Sequence, residues 1–165
     1  MEFDERISRA VDNFMQGYNC AQSVFMAFAD LYGLSREQAL HVSASFGGGI
    51  GRMRLTCGAA CALFMLAGME TCALSGPDRE SKRANYALVQ QLAADFKART
   101  GSLTCSELLG LRRNGHTDPT PQARDAHYYA TRPCARMVET AARIWAEHLG
   151  SRPVPETPTA KTPCQ

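Results

Sequence analysis

The sequence predicts an all-α fold, a single compact domain of about six helices with a glycine-rich turn before the central one. Three observations predict it. Apolar residues recur at helical spacing in one segment after another, no stretch alternates convincingly with period two, and Asn, Ser, Thr or Asp stands where most of these segments begin. No repeat of fixed length occurs. At 165 residues the chain suits one domain and can bury a core without metal or disulfide staples.

The first helix follows from Phe3, Ile7, Ala10, Val11 and Phe14, and Gly17 closes it. Asn19 caps a second helix, with Gln22 completing a capping box and Cys20 as first residue; its apolar face runs through Val24, Phe25, Phe28 and Leu31 to Gly33. Ser35 and Gln38 repeat that signal for a third helix reaching about Phe46. Gly47 to Gly51 is too rich in glycine to continue a helix and reads as a tight turn that lets helices cross closely. It is no phosphate-binding P-loop, since it lacks the Gly-Lys-Ser/Thr ending and a preceding strand. Thr56 then caps the central helix, so Cys57 is expected at its first position, with Cys61, Met65, Gly68 and Cys72 on the same stripe.

Gly76 to Asp78 forms a turn and cap for a long helix with Ala84, Leu88, Leu92 and Phe96 buried, ended by Lys97, Arg99 and Gly101. Thr104 and Glu107 give another capping-box pattern, with Cys105 opening a short helix that ends at Gly110. Arg112 to Arg132 lacks a sustained apolar period and reads as a loop with one helical turn around Gln122 to Tyr128, a candidate cover for a site. Pro133 suits a first helical position, and Cys134, Val138, Ala141, Trp145 and His148 line one face of the last helix. Gly150 ends the domain; residues 151–165, with four prolines, are expected to be a disordered tail in which Cys164 is incidental.

The net charge is only +2, and basic residues are dispersed, which argues against a nucleic-acid binder. The longest apolar run, Leu55 to Met69, meets Glu70 before the ~20 residues that a membrane span needs. The acidic, amphipathic start has no signal-peptide pattern, so a cytoplasmic protein is expected. Seven cysteines are many for a reducing compartment, and the odd count suits a secreted disulfide framework poorly.

Four of the cysteines, Cys20, Cys57, Cys105 and Cys134, fall in the first turn of a predicted helix. Orphan amides and the helix dipole lower a thiol pKa at that position, which makes a better nucleophile or metal ligand. Arg52 and Arg54, beside the glycine-rich turn, are candidates to compensate negative charge gathered at such a site. His41, His116, His127 and His148 show no metal-ligand spacing.

Asn19-Cys-Ala-Gln-Ser23, Phe46-Gly-Gly-Gly-Ile-Gly-Arg-Met53, Thr56-Cys-Gly-Ala-Ala-Cys-Ala62, Cys105-Ser-Glu-Leu-Leu-Gly110 and Cys134 together resemble the C-GCAxxG-C-C family of redox-active proteins, over roughly Phe14 to Leu149. The resemblance implies that Cys20, Cys57, Cys105 and Cys134 are the family's four characteristic cysteines. The glycine that closes the family's central motif is Ala62 here.

Three readings follow. Four thiolates satisfy an iron–sulfur cluster for electron transfer, or equally a tetrahedral zinc ion. Two of the same cysteines suffice for thiol–disulfide exchange with no bound group, although no C-x-x-C motif is present. Four buried, unreactive cysteines would instead belong to a helical binding protein. The first two place the chain with oxidoreductases and electron carriers, with a redox partner that no residue pattern identifies; apolar helix faces leave a homodimer open.

Overall fold

Helix-forming periodicity is realised throughout. The computed structural model describes residues 3–72, 76–111 and 118–152. Within them run α1 (Asp4–Met15), α2 (Cys20–Phe28), α3 (Arg36–Ser43), α4 (Gly58–Thr71), α5 (Arg79–Thr100), α6 (Cys105–Leu108), α7 (Ala126–Thr131) and α8 (Cys134–Gly150), with 3-10 turns after α2 and α3. No strand occurs among the described residues; Thr56 and Thr104 meet in one isolated antiparallel bridge. The eight α-helices exceed the expected six or so because α6 and α7 are short helices beside a loop and a turn. The tail beyond Arg152, His116 and Cys164 lie outside the described residues.

α2 is the axis of the domain. Every residue of it except Gln22 is buried, and it packs against α1, α3, α4 and α8. Its Asn19/Gln22 capping box forms as the spacing predicts, as does Ser35/Gln38 on α3. α4 packs against α2, and its Ala59, Ala60 and Ala62 are fully buried, small residues of the kind that let helices approach closely. The methyl of Ala62, where the family motif has glycine, is therefore accommodated within the core.

Phe14, Phe25, Phe28, Phe96 and Trp145 fill the space between α1, α2, α5 and α8. Arg99 of α5 reaches Asp95 at 2.9 Å and Glu147 of α8 at 2.6 Å, tying the long helix to the last one at the surface. Ala84, expected on the buried stripe of α5, is exposed; Leu92 and Phe96 carry that stripe. No helix among the described residues is long and apolar enough to cross a membrane.

The glycine-rich segment is a left-handed turn. Gly48, Gly49, Ile50, Gly51 and Arg52 all have positive φ, from 56° to 72°, and Arg54 follows at 62°. Non-glycine residues pay about 1–3 kcal/mol each in that region, so the surrounding structure must hold Ile50, Arg52 and Arg54 there. Amide donation from Gly51 to the Ser45 carbonyl at 2.7 Å and from Leu55 to that of Gly49 at 3.0 Å pins the turn.

Two glycines give a contrast in sign. A Cβ at Gly49 would lie 2.5 Å from Cys105 Cβ at a positive φ, whereas one at Gly68, in the interior of α4, meets nothing within 4 Å. Gly49→Ala is expected to destabilise the fold by about 1–3 kcal/mol. Gly68→Ala is expected to stabilise it by up to about 1 kcal/mol through helix propensity. Urea unfolding of both variants checks the pair of signs.

Candidate functional site

Four helix starts converge on one point. Cys20 opens α2, Cys57 precedes α4, Cys105 opens α6 and Cys134 opens α8. Cys57 is itself the N-cap of α4, one position earlier than its predicted place, and makes no side-chain capping bond. Pro133 is likewise the N-cap of α8 and not its first residue. The Thr104/Glu107 capping box does not form: Ser102 Oγ accepts the Thr104 amide at 2.9 Å, and its hydroxyl donates to Glu107.

Glycine makes the convergence sterically feasible. A Cβ at Gly58 would stand 2.7 Å from the Phe46 carbonyl oxygen, 3.2 Å from the Ala21 amide and 3.3 Å from Cys20 Cβ, so the start of α4 can lie beside the start of α2 only without a side chain there. The Thr56–Thr104 bridge sets Cys57 and Cys105 side by side: the Cys57 amide donates to the Leu103 carbonyl at 2.8 Å and the Cys105 amide to that of Leu55 at 2.6 Å. Cys20 and Cys134 face each other from α2 and α8. All four cysteines line one cavity of about 300 Å³. Cys61 is buried with its sulfur 3.8 Å from the Thr56 carbonyl, behind the cavity wall, and Cys72 lies just past α4 with φ 50°.

Arg52 and Arg54, predicted for charge compensation, both line the cavity. Arg54 directs a guanidinium nitrogen at Cys105 Sγ, 3.9 Å away, and Arg52 donates to the Asp118 carbonyl at 3.0 Å. Of the segment Arg112 to Arg132, read from sequence as a cover, residues 112–117 lie outside the described residues, and the rest supplies Pro119, Pro121, Gln122, Arg124, Tyr128 and Arg132 to the lining. Arg124 and Tyr128 carried no sequence signal, because nothing local marks which side chains of an aperiodic segment turn inward.

The thiols differ in character. Burial pushes Cys57 up to about 12, with the amides of Ala59 and Ala60 opposing it only in part. Cys105 is also raised by burial, against the pull of Arg54. Cys20 is raised well above the ordinary thiol value, foremost because its proton is engaged with Cys134, then by burial. Cys134 alone moves down, to about 7: the Cys20 thiol donates to it, and Arg132, Arg124 and the Tyr128 hydroxyl add to the effect against burial. Placement at a helix start thus fails to lower three of the four thiols: the Cys134 partner and then burial raise Cys20, and burial outweighs the nearby amides at Cys57 and Arg54 at Cys105. Of the four, Cys134 is the one that ionises nearest neutral pH, with the raised Cys20 thiol beside it.

Fold and site together define an all-helical protein whose four helix-start cysteines share a basic cavity. A family model described as "Putative redox-active protein (C_GCAxxG_C_C)" matches residues 18–148, and the chain belongs to that family. Neither the curated proteins nor the solved structures contain a match to the chain.

Because Cys134 ionises near 7 with Cys20 as its donor, alkylation of Cys134 by iodoacetamide is expected to speed up as pH rises through about 7. Cys20→Ala removes the donor, so the inflection moves upward. Peptide mapping of the modified chain across pH checks both; an inflection unmoved by the substitution contradicts the assignment of Cys20.

Proposed function

We propose that the chain is a thiol–disulfide redox protein in which Cys134 attacks and Cys20 resolves. The observation that carries the reading is the asymmetric pair: a partly exposed cysteine lowered to about 7 by the protonated thiol buried beside it. Nucleophilic attack requires thiolate, and only Cys134 offers it near neutral pH. Attack on a disulfide of an oxidant gives a mixed disulfide at Cys134. Cys20, its proton passed to the departing thiolate, then attacks Cys134 Sγ and releases the second thiolate, which solvent protonates. Two cysteines lose two electrons and two protons, and the oxidant gains them.

The residues do not fit a single zinc ion as they stand, since among those described no three His, Cys, Asp or Glu side chains are gathered to hold one. A second reading is favoured by a different observation, the presence of all four thiols around one cavity in two pairs, Cys20 with Cys134 and Cys57 with Cys105. That donor set suits an iron–sulfur cluster, which spreads its ligands over more than one iron. A cluster there would supply one-electron transfer. Arg54 and the amides at the start of α4 would offset its charge.

Protein purified without oxygen separates the two. The dithiol reading expects metal-free chain that forms a Cys20–Cys134 disulfide with mild oxidant, reversed by reductant and abolished by Cys134→Ser. Stoichiometric iron and acid-labile sulfide, lost on replacing any one of the four cysteines by Ser, would replace it with the cluster reading.

A further inference from the structure

The charge on the cavity wall is unbalanced. Arg52, Arg54, Arg124 and Arg132 all line it, and no Asp or Glu among the described residues does. None of the four makes an ion pair among the described residues. Their anchors are the Asp118 carbonyl for Arg52, Cys105 Sγ for Arg54, the Tyr18 carbonyl at 3.3 Å for Arg124 and the Gln122 side-chain carbonyl for Arg132. The carboxylate of Asp118, outside the lining, accepts the Thr120 amide at 2.8 Å, and its charge supports Arg52 only.

Arg124 is held most firmly. Its guanidinium carbon lies 4.5 Å from the Phe14 ring centre and 4.6 Å from that of Tyr128, and its second terminal nitrogen, Nη1, is buried with no hydrogen-bond partner. A buried charged donor left unmade costs more than it returns unless an acceptor arrives. A guanidinium held against two neighbouring rings presents its fork already oriented, so little freedom is lost when a carboxylate binds. At about 300 Å³ the cavity is at the small end for organic ligands.

We propose that the substrate of this site is a small disulfide bearing carboxylates, bound by Arg124 with Arg132 and Arg52 while its sulfurs face Cys134. The inference rests on the dithiol reading above and adds the substrate's charge and size. Written R–S–S–R, the substrate loses its S–S bond as Cys134 forms one to the nearer sulfur, and R–S⁻ departs with the Cys20 proton. Cys20 then displaces the second R–S⁻ from Cys134, and this thiolate takes from solvent the proton that Cys134 gave up on ionising. The protein gains a Cys20–Cys134 disulfide, and the substrate becomes two R–SH.

The reduced full chain is mixed, without oxygen, with 3,3'-dithiodipropionate, with uncharged 2-hydroxyethyl disulfide or with cationic cystamine, and disulfide formation is followed by mass. The anionic disulfide is expected to react at least about tenfold faster than the other two, an advantage that shrinks with added salt and in Arg124→Gln. Arg132→Gln, which leaves Arg124 in place against Phe14, is the second variant in case loss of Arg124 unfolds the chain. Adipate, a dicarboxylate without sulfur, is titrated separately as a binding probe and is expected to slow alkylation of Cys134 in the wild-type chain and not in the variants. Equal rates for the three disulfides, or an advantage that both folded variants keep, overturn the proposal while leaving the dithiol reading standing. Reaction with none of them overturns the dithiol reading, and adipate protection then decides the anion site by itself: protection lost in the variants keeps it, and no protection ends it.

Discussion

Everything at the site depends on backbone approaching backbone where a side chain would block it. Gly58 brings the start of α4 against the Phe46 carbonyl and the first turn of α2, and Gly49 stands where a methyl would strike Cys105. The left-handed turn from Gly48 to Arg52 is the means by which the chain leaves the 3-10 turn ending at Phe46 and re-enters the core at Cys57 within so few residues. Its strain at Ile50, Arg52 and Arg54 is offset by packing and by amide bonds to Ser45, Gly48 and Gly49. A strained segment placed between two cysteines and carrying two arginines to the same cavity marks a functional constraint more than a stability device.

The consequence is electrostatic. Removing sulfur from water raises a thiol pKa, and the cavity does this to Cys20, Cys57 and Cys105. Arginines and helix-start amides act in the opposite sense, yet only Cys134 receives enough of them, together with a thiol donor, to favour the anion. Partial exposure helps, since Cys134 is the least buried of the four. Four chemically identical residues thereby acquire different ionisation behaviour by environment alone, with Cys134 moved down and the other three moved up.

Helix content, the two complete capping boxes and the positions of the cysteines near helix starts were legible because each depends on residues within a few positions of one another. Asn19 and Gln22 bond as their spacing implies; Ser35 and Gln38 do too. Thr104 and Glu107 have the same spacing, but Ser102 captures both groups first, a competition that spacing does not reveal. Convergence of the four cysteines depends on how α2, α4 and α8 cross, which is set by alanines and glycines that look ordinary in the sequence. Arg124 illustrates the remainder. It sits in an aperiodic segment, and its place against Phe14 and Tyr128 joins residues 110 positions apart in the case of Phe14.

The central claim is that sulfurs from the starts of α2 and α8 meet as a pair. A trivalent phenylarsenical bridges two thiols that lie close together and holds isolated thiols only weakly, so its binding reads that proximity without reference to any redox mode. The reduced native chain is expected to take up the arsenical tightly, to lose that uptake in Cys134→Ser and in Cys20→Ser, and to keep it in Cys61→Ser. Tight uptake that survives both of the first two substitutions, or weak uptake by the native chain, would contradict the pairing.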